Sequence, residues 1–204
     1  MAGPIETVEG VVLLRDASGE SWDRITLFSP ESGIFQFLQR RSKKAGTSIL
    51  DLFDLIAVVL ERRDGSLTRF SREIRILRRF TALGHRYASL RESCQFARIL
   101  MDNPVHEDSR QEVHDLLGQA LAAWERGDRE DVVAFKSLFV FARGEGYAVR
   151  EDWWQRLPAG ERDRASVLLN RPTREIELDR DQVATVRKSL EHYLRHFTEI
   201  RVTV

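Results

Sequence analysis

A short run of cationic side chains is the feature of this sequence with the clearest chemical use. Within five positions the chain carries four cations and no acidic residue: Arg40, Arg41, Lys43 and Lys44. Guanidinium and ammonium groups clustered in this way neutralise phosphates and release the counterions of a nucleic acid. The run therefore predicts a loop that binds DNA largely without regard to base sequence. A solvated surface loop without a ligand is the alternative interpretation.

A second basic cluster follows between residues 62 and 91. Its spacing places three arginines on one face of a predicted helix: Arg72, Arg75 and Arg79. If this face lay on the same side of the molecule as the loop, the two clusters would form one track for a nucleic-acid strand. The alternative is an ordinary polar helix face that pairs with acidic groups of the other domain.

Aromatic residues of the type that stacks on bases occur in the same part of the chain, at Trp22, Phe28, Phe35 and Phe37. Such residues more often fill a protein core, and the alternation of a strand does not by itself decide which of them point outward. We expect at least two of the four in the core.

Signals for catalysis or metal binding are missing from the sequence. It contains no phosphate-binding glycine loop and no nucleophile motif. His192 and His196 are four residues apart, but no third ligand is evident nearby. Cys94 is the single cysteine, which excludes an internal disulfide and a CxxC zinc site. The sequence therefore predicts a protein that is not an enzyme and that needs no metal or cofactor.

The elements that would position the basic residues are short strands followed by helices. Five predicted strands, separated by turn residues, suit a small closed barrel: Val8–Leu14, Trp22–Phe28, Ile34–Gln39, Leu52–Glu61 and Leu67–Phe70. From Ile76 to Met101 apolar residues recur every three or four positions, which predicts a long amphipathic helix, and further helical stripes follow. The predicted fold is α+β, with a five-stranded barrel over residues 1–75 and an all-helical domain over residues 76–204.

Composition limits the class of protein further. The chain has 204 residues, 42% of them apolar, and its formal net charge is zero. Affinity for nucleic acid would therefore have to come from local clusters of charge. The first ten residues do not resemble a signal peptide, and the longest apolar runs are too short to cross a bilayer. We expect a soluble cytoplasmic protein that does not contact the membrane.

Several segments together resemble the RecO family of bacterial recombination mediators. In the first half these are GVVLLR, GESWDRITLFSPESG and LFDLIAVVLERRDG; in the second half they are LLGQAL, FKSLFVFARGEGY and HYLRHFTEI. The resemblance covers most of the chain and consists of strand, turn and loop patterns. It implies an oligonucleotide-binding (OB-fold) barrel and a helical domain. The function implied is to bind single- and double-stranded DNA, anneal strands and assist recombinase loading in DNA repair.

The resemblance also implies two protein partners: RecR, and the acidic, apolar C-terminal tail of single-stranded DNA-binding protein. In the family, a hydrophobic groove with a basic rim on the helical domain receives this tail. The residues here with the matching chemistry are Phe135, Lys136, Phe139 and Arg143. They would offer a cation for the terminal carboxylate and a pocket for the terminal aromatic side chain.

The sequence departs from the family in two places. The Lys-Gly pair that often leads into the basic loop is replaced by Gln39-Arg40-Arg41, and residues 147–174 lack the four-cysteine zinc module of many members. The resemblance is thus to a short, metal-free form. These departures and the zero net charge favour an alternative function, a protein-interaction scaffold of RecO architecture with weak or lost DNA binding.

Overall fold

The computed structural model describes residues 5–41, 49–62 and 67–202. Two compact units follow one another along the chain, Met1–Phe80 and Thr81–Val204. The first is built from strands and the second from helices, so the predicted α+β class is confirmed. The division falls after Phe80, whereas the sequence places it after residue 75.

The strands of the first unit form a closed ring. They are β1 (Ile5–Ser18), β2 (Trp22–Ser29), β3 (Gly33–Arg40), β4 (Leu55–Arg62) and β5 (Arg69–Arg78). Around the ring the order is β1-β2-β3-β5-β4, and β4 pairs with β1 to close it. All neighbours are antiparallel except β3 and β5, which run parallel. In the described residues this seam has one registered pair, Leu38 opposite Phe70.

Side-chain alternation fills the interior of the ring with aliphatic residues. Ile25 and Leu27 of β2 and Phe37 of β3 are almost completely buried there, together with residues from β1 and β4. The β2–β3 turn follows the expected chemistry, because Gly33 has a φ of 68° that a side chain would disfavour. Alternation turns Trp22 and Arg24 of β2, and Leu38 and Arg40 of β3, away from this core.

The fifth strand is where the sequence prediction was wrong. Residues 76–78 belong to β5, and the first long helix begins only at Tyr87. Ile74 and Ile76 lie opposite Val58 and Ile56 of β4 and pack against the barrel core. Their burial on the sheet outweighs the helix-like spacing of the apolar residues that follow.

The described part of the second unit contains six α-helices. They are α1 (Tyr87–Asp102), α2 (Arg110–Arg126), α3 (Glu130–Gly144), α4 (Trp154–Arg156), α5 (Ala159–Asn170) and α6 (Arg180–Phe197). Helix α3 carries the largest buried set, because its apolar residues occur on more than one face. Helix α6 starts with a reciprocal capping box between Asp179 and Gln182. Among the described residues, no helix combines the length and the apolar character needed to span a membrane.

Candidate nucleic-acid interface and basic groove

Of the basic run, the structure describes Arg40 and Arg41. Arg40 is exposed at the last position of β3, opposite Trp22 of β2. Arg41 follows directly, and its amide donates to the carbonyl oxygen of Ser21 at 2.8 Å. Lys43 and Lys44, which the sequence also assigns to DNA, lie outside the described residues.

Arg41 is engaged by a buried carboxylate. Its Nε lies 2.7 Å from Oδ1 of Asp23, and Arg15 binds the other oxygen of the same group with Nε and Nη2, at 3.1 and 2.8 Å. Burial raises the pKa of Asp23, but the hydrogen bonds from Arg41 and Arg15 outweigh it and hold the pKa below its ordinary value. Arg15 also donates to the carbonyl oxygen of Leu50 at 3.0 Å. The cluster therefore joins the two ends of the chain that flank residues 42–48.

Arg79 forms a second ion pair at the same loop. Its Nε and Nη2 lie 2.9 and 2.8 Å from the two oxygens of Asp54, a residue with no exposed surface, and Nη2 also binds the carbonyl oxygen of Ile49 at 2.8 Å. The hydrogen bond to Asp54 raises the pKa of Arg79 against the opposing effect of burial. Arg79 thus holds the segment between Ile49 and Asp54 in place.

The three arginines expected on a helix face are not on a helix. Arg72 and Arg75 lie on β5, and Arg79 lies just beyond its end. Arg72 faces Glu61 with 3.4 Å between Nε and the nearer carboxylate oxygen, whereas Arg75 is exposed opposite Ala57 with no ion-pair partner among the described residues. The helix prediction failed because the cross-strand pairing with β4 extends to Arg78.

A separate surface on the outside of β2, β3 and β5 combines aromatic rings with exposed arginines. Trp22 and Phe70 meet edge to face there, with 5.3 Å between ring centroids. Arg24 and Arg40 are exposed on the same side of β2 and β3, and Leu38 lies opposite Arg24. We refer to these residues as the outer face: Trp22, Arg24, Leu38, Arg40 and Phe70.

The two arginines of the outer face differ from Arg41 and Arg79 in their partners. Arg24 and Arg40 have no ion-pair or hydrogen-bond partner among the described residues, although exposed Asp16 is the cross-strand neighbour of Arg24 on β1. This differs from Arg41 and Arg79, which are held by buried carboxylates. Cations without partners next to half-buried rings can contact phosphates while the rings stack on bases.

The aromatic residues divide as expected. Phe28 and Phe37 are buried, which confirms that at least two of the four belong to the core. Trp22 is half-buried on the outer face, and half-buried Phe35 is covered by the guanidinium of Arg69 at 4.4 Å from the ring centroid. The sequence prediction missed Arg24 and Phe70. Strand alternation with Ile25 and Leu27 predicts that Arg24 is exposed on the outside of β2. The position of Phe70 beside Trp22 depends on the parallel pairing of β5 with β3, which the sequence does not reveal.

On the helical unit, three of the four predicted partner-binding residues come together. Lys136, Phe139 and Arg143 line a cavity of about 410 Å³, which we call the basic groove. Arg150 and Trp154, which the sequence did not suggest, complete its cationic and aromatic lining. Burial lowers the pKa of Lys136, whose ammonium group donates to the carbonyl oxygen of Arg171.

Phe135, which the sequence suggests as a groove residue, does not line the basic groove. It is fully buried and packs against Trp153 and Phe139, with ring centroids 6.1 and 6.5 Å away. Its position one residue before Lys136 turns it to a different side of α3, since neighbouring helix positions do not share a face. Phe135 therefore supports the wall of the groove from behind.

The two histidines of α6, His192 and His196, are exposed and lie next to each other. His196 Nδ1 lies 2.8 Å from the carbonyl oxygen of His192, and the two rings have centroids 4.1 Å apart and planes inclined by 31°. In the described part of the chain, no group of three or more histidine, cysteine, aspartate or glutamate residues has a metal-binding arrangement.

No family model matches this sequence. No curated protein matches it either. Neither comparison identifies the RecO family, so that assignment stays a prediction from the strand, turn and loop patterns of the sequence.

Proposed function

We propose that this protein is a non-enzymatic DNA-binding adaptor of the RecO type, acting in the cytoplasm. The observation that carries the proposal is the outer face, where the Trp22–Phe70 pair lies beside Arg24 and Arg40. Single-stranded DNA binds proteins through this combination of stacking rings and unneutralised cations. RecO resemblance supports the same assignment from the sequence.

The ring of strands is proposed to be an OB-fold. OB-folds are five-stranded barrels that bind oligonucleotides on the face of strands 2 and 3 and on adjoining loops. Five strands in the order β1-β2-β3-β5-β4 are compatible with this assignment. The position of Trp22, Arg24 and Arg40 on β2 and β3 supports it further.

The proposed mechanism needs no catalytic residue. Bases of a single strand stack against Trp22 and Phe70, while Arg24 and Arg40 neutralise phosphates. Lys43 and Lys44 supply further cations from the loop, and Arg75 supplies one from β5. Duplex DNA would use the phosphate contacts without the stacking. Strand annealing follows because two strands bound to neutralising surfaces no longer repel each other.

Fluorescence anisotropy with a labelled single-stranded oligonucleotide at two salt concentrations tests the proposal. The double variant R24A/R40A should weaken binding about 10-fold or more and lower the slope of log affinity against log salt by about 0.7 for each phosphate that is no longer neutralised. A double variant with the same charge change on the helical unit, R98A/R195A, is the matched control and should leave both quantities unchanged. Equal affinity of wild type and R24A/R40A would contradict the proposal.

A second proposed activity is capture of an acidic C-terminal peptide by the basic groove. Lys136, Arg143 and Arg150 supply cations, while Phe139 and Trp154 supply an apolar surface. This combination suits a terminal carboxylate and a terminal aromatic side chain. The partner implied by the resemblance is the tail of single-stranded DNA-binding protein, and RecR is implied as a further partner in recombinase loading. Loss of binding of an acidic peptide ending in Phe when Arg143 is changed to Ala, and on amidation of its C-terminus, tests this activity.

The alternative is a scaffold of the same architecture with weak DNA binding. Two observations favour it: Arg41 and Arg79 are paired with buried carboxylates, and residues 1–80 carry 13 Lys and Arg against 11 Asp and Glu. Oligonucleotide affinity distinguishes the two functions. The scaffold predicts peptide binding by the basic groove without oligonucleotide binding at low salt.

A further inference from the structure

A second hollow adjoins the basic groove on the helical unit. It has a volume of about 470 Å³ and lies between α2 and α3. Small and aliphatic side chains form most of its wall, among them Leu116, Ala120, Ala123 and Val133. We call it the α2–α3 hollow. Both cavities fall within the range of volumes typical of ligand sites.

The two cavities share a boundary. Lys136 and Val140 of α3 line both of them. Lys136 is half-buried, and its ammonium group is held by the carbonyl oxygen of Arg171, which leaves donors of this three-donor group for a ligand. A cation therefore lies at the boundary between the basic groove and the α2–α3 hollow.

The charged side chains that line the two cavities are all cationic among the described residues. No acidic residue is among those lining either cavity, as far as the described chain shows. Arg143 and Arg150 have no ion-pair partner among the described residues, whereas Arg126, at the α2–α3 hollow, is bound to Asp128 at 2.9 Å. The cations free to bind a ligand are thus concentrated at the basic groove and at Lys136. A ligand that fills both cavities should carry carboxylates on this side and be aliphatic on the other.

We infer that the basic groove and the α2–α3 hollow form one continuous site for an acidic peptide with two apolar anchors. A C-terminal aromatic side chain occupies the basic groove, a carboxylate meets Lys136, and an aliphatic side chain upstream enters the α2–α3 hollow. The alanine-rich wall leaves room for a Leu or Ile side chain. This inference rests on the proposed peptide-binding activity and adds a second specificity element to it.

Labelled synthetic peptides test the inference by fluorescence anisotropy. The short probe is Glu-Glu-Ser-Phe with a free C-terminus. The long probes extend it by five residues that are otherwise Ser and Gly, with Leu placed at each of the three positions nearest the short sequence in turn. At least one long probe should bind about 10-fold more tightly than the same probe with Leu replaced by Ser, since burying one aliphatic side chain contributes on this scale.

Two variants assign that gain to the α2–α3 hollow. A123W fills the hollow, and A122E places a negative charge at its edge; either should abolish the gain from Leu. Thermal melting followed by circular dichroism shows that each variant folds. An exposed alanine outside both cavities gives the matched control, A159W, which should keep the full gain.

The outcomes separate the two proposals. Binding of the short probe without any gain from Leu, or a gain that persists in folded A123W and A122E, overturns the continuous site and leaves the basic groove intact. Failure of all probes to bind overturns both. Binding of a long probe alone, lost in A123W, supports the α2–α3 hollow and overturns the terminal pocket in the basic groove.

Discussion

Arg41 and Asp23 form an ion pair with 2.7 Å between Nε and Oδ1. The charge of Arg41 is therefore already balanced within the protein. From its place in a cationic run, Arg41 is expected to face a phosphate. In the structure its charge is balanced by a nearly buried carboxylate that Arg15 also binds. Arg40, one position earlier, has no such partner among the described residues. Two adjacent arginines therefore have different surroundings.

This difference gives the first prediction. R40A should reduce oligonucleotide affinity and change the free energy of unfolding by no more than about 0.5 kcal/mol, as exposed substitutions do. R41A should destabilise the protein by about 1–2 kcal/mol, because Asp23 keeps only one of its two cationic partners. Urea unfolding and oligonucleotide binding, measured on the same two variants, check this. Equal destabilisation by both substitutions would be inconsistent with the distinct roles.

The second prediction concerns Arg79. R79A leaves the carboxylate of Asp54 buried without its cation and should cost about 2 kcal/mol of stability. The value is below the range for fully buried pairs because 37% of the Arg79 side chain is exposed, so water can partly replace it. R75A removes a charge from the same region and is the matched control. If R79A unfolds at the same urea concentration as R75A, the ion pair does not stabilise the fold.

The third prediction is a loss of stability in acid. Burial raises the pKa values of Asp23 and Asp128, but arginine hydrogen bonds more than offset this and leave both below the ordinary 3.8. Lowered folded-state values stabilise the protein fully above the unfolded-state pKa, and this stabilisation disappears as pH falls below about 4 through the folded-state values. Urea unfolding at pH 7, 4.5 and 3 should show the decline between the last two. D128N should be less stable at pH 7 and decline less; an unchanged decline would exclude a contribution from Asp128.

The fourth prediction compares Gly118, which lies within α2, with Gly127, which directly follows it. A Cβ added to Gly118 would meet nothing within 4 Å, so G118A should stabilise the protein by about 0.5–1 kcal/mol through helix propensity. Gly127 follows the last helical residue with a φ of 80°, a backbone conformation that residues with a Cβ rarely adopt. G127A should therefore destabilise. Thermal unfolding of the two variants checks the opposite signs, and a shift in the same direction for both would refute the assignment.

Local patterns predicted the fold better than they predicted the positions of charge. The strands β1 to β3 and the helices that follow are readable from alternation, turn residues and helical spacing. The end of β5 is not, because Ile74 and Ile76 fit either period and only the pairing with β4 decides between them. The partners of Arg41 and Arg79 are equally hidden, since Asp23 and Asp54 are distant from them in sequence. Lys136, Phe139 and Arg143 line one cavity because they lie within about two turns of α3, whereas their binding of a partner stays a prediction drawn from the resemblance.

The parallel junction between β3 and β5 is expected to affect how fast backbone amides of these strands exchange with solvent. In the described residues β3 and β5 are registered at Leu38 and Phe70 alone, and Phe70 reaches across to Trp22 on β2. Backbone amides beside such a narrow junction should exchange with deuterated solvent before those of the β1–β2 ladder. A base stacked on Trp22 and Phe70 would bridge the junction from outside. Oligonucleotide binding should therefore slow amide exchange at β3 and β5 selectively, because the bound base holds these two strands together.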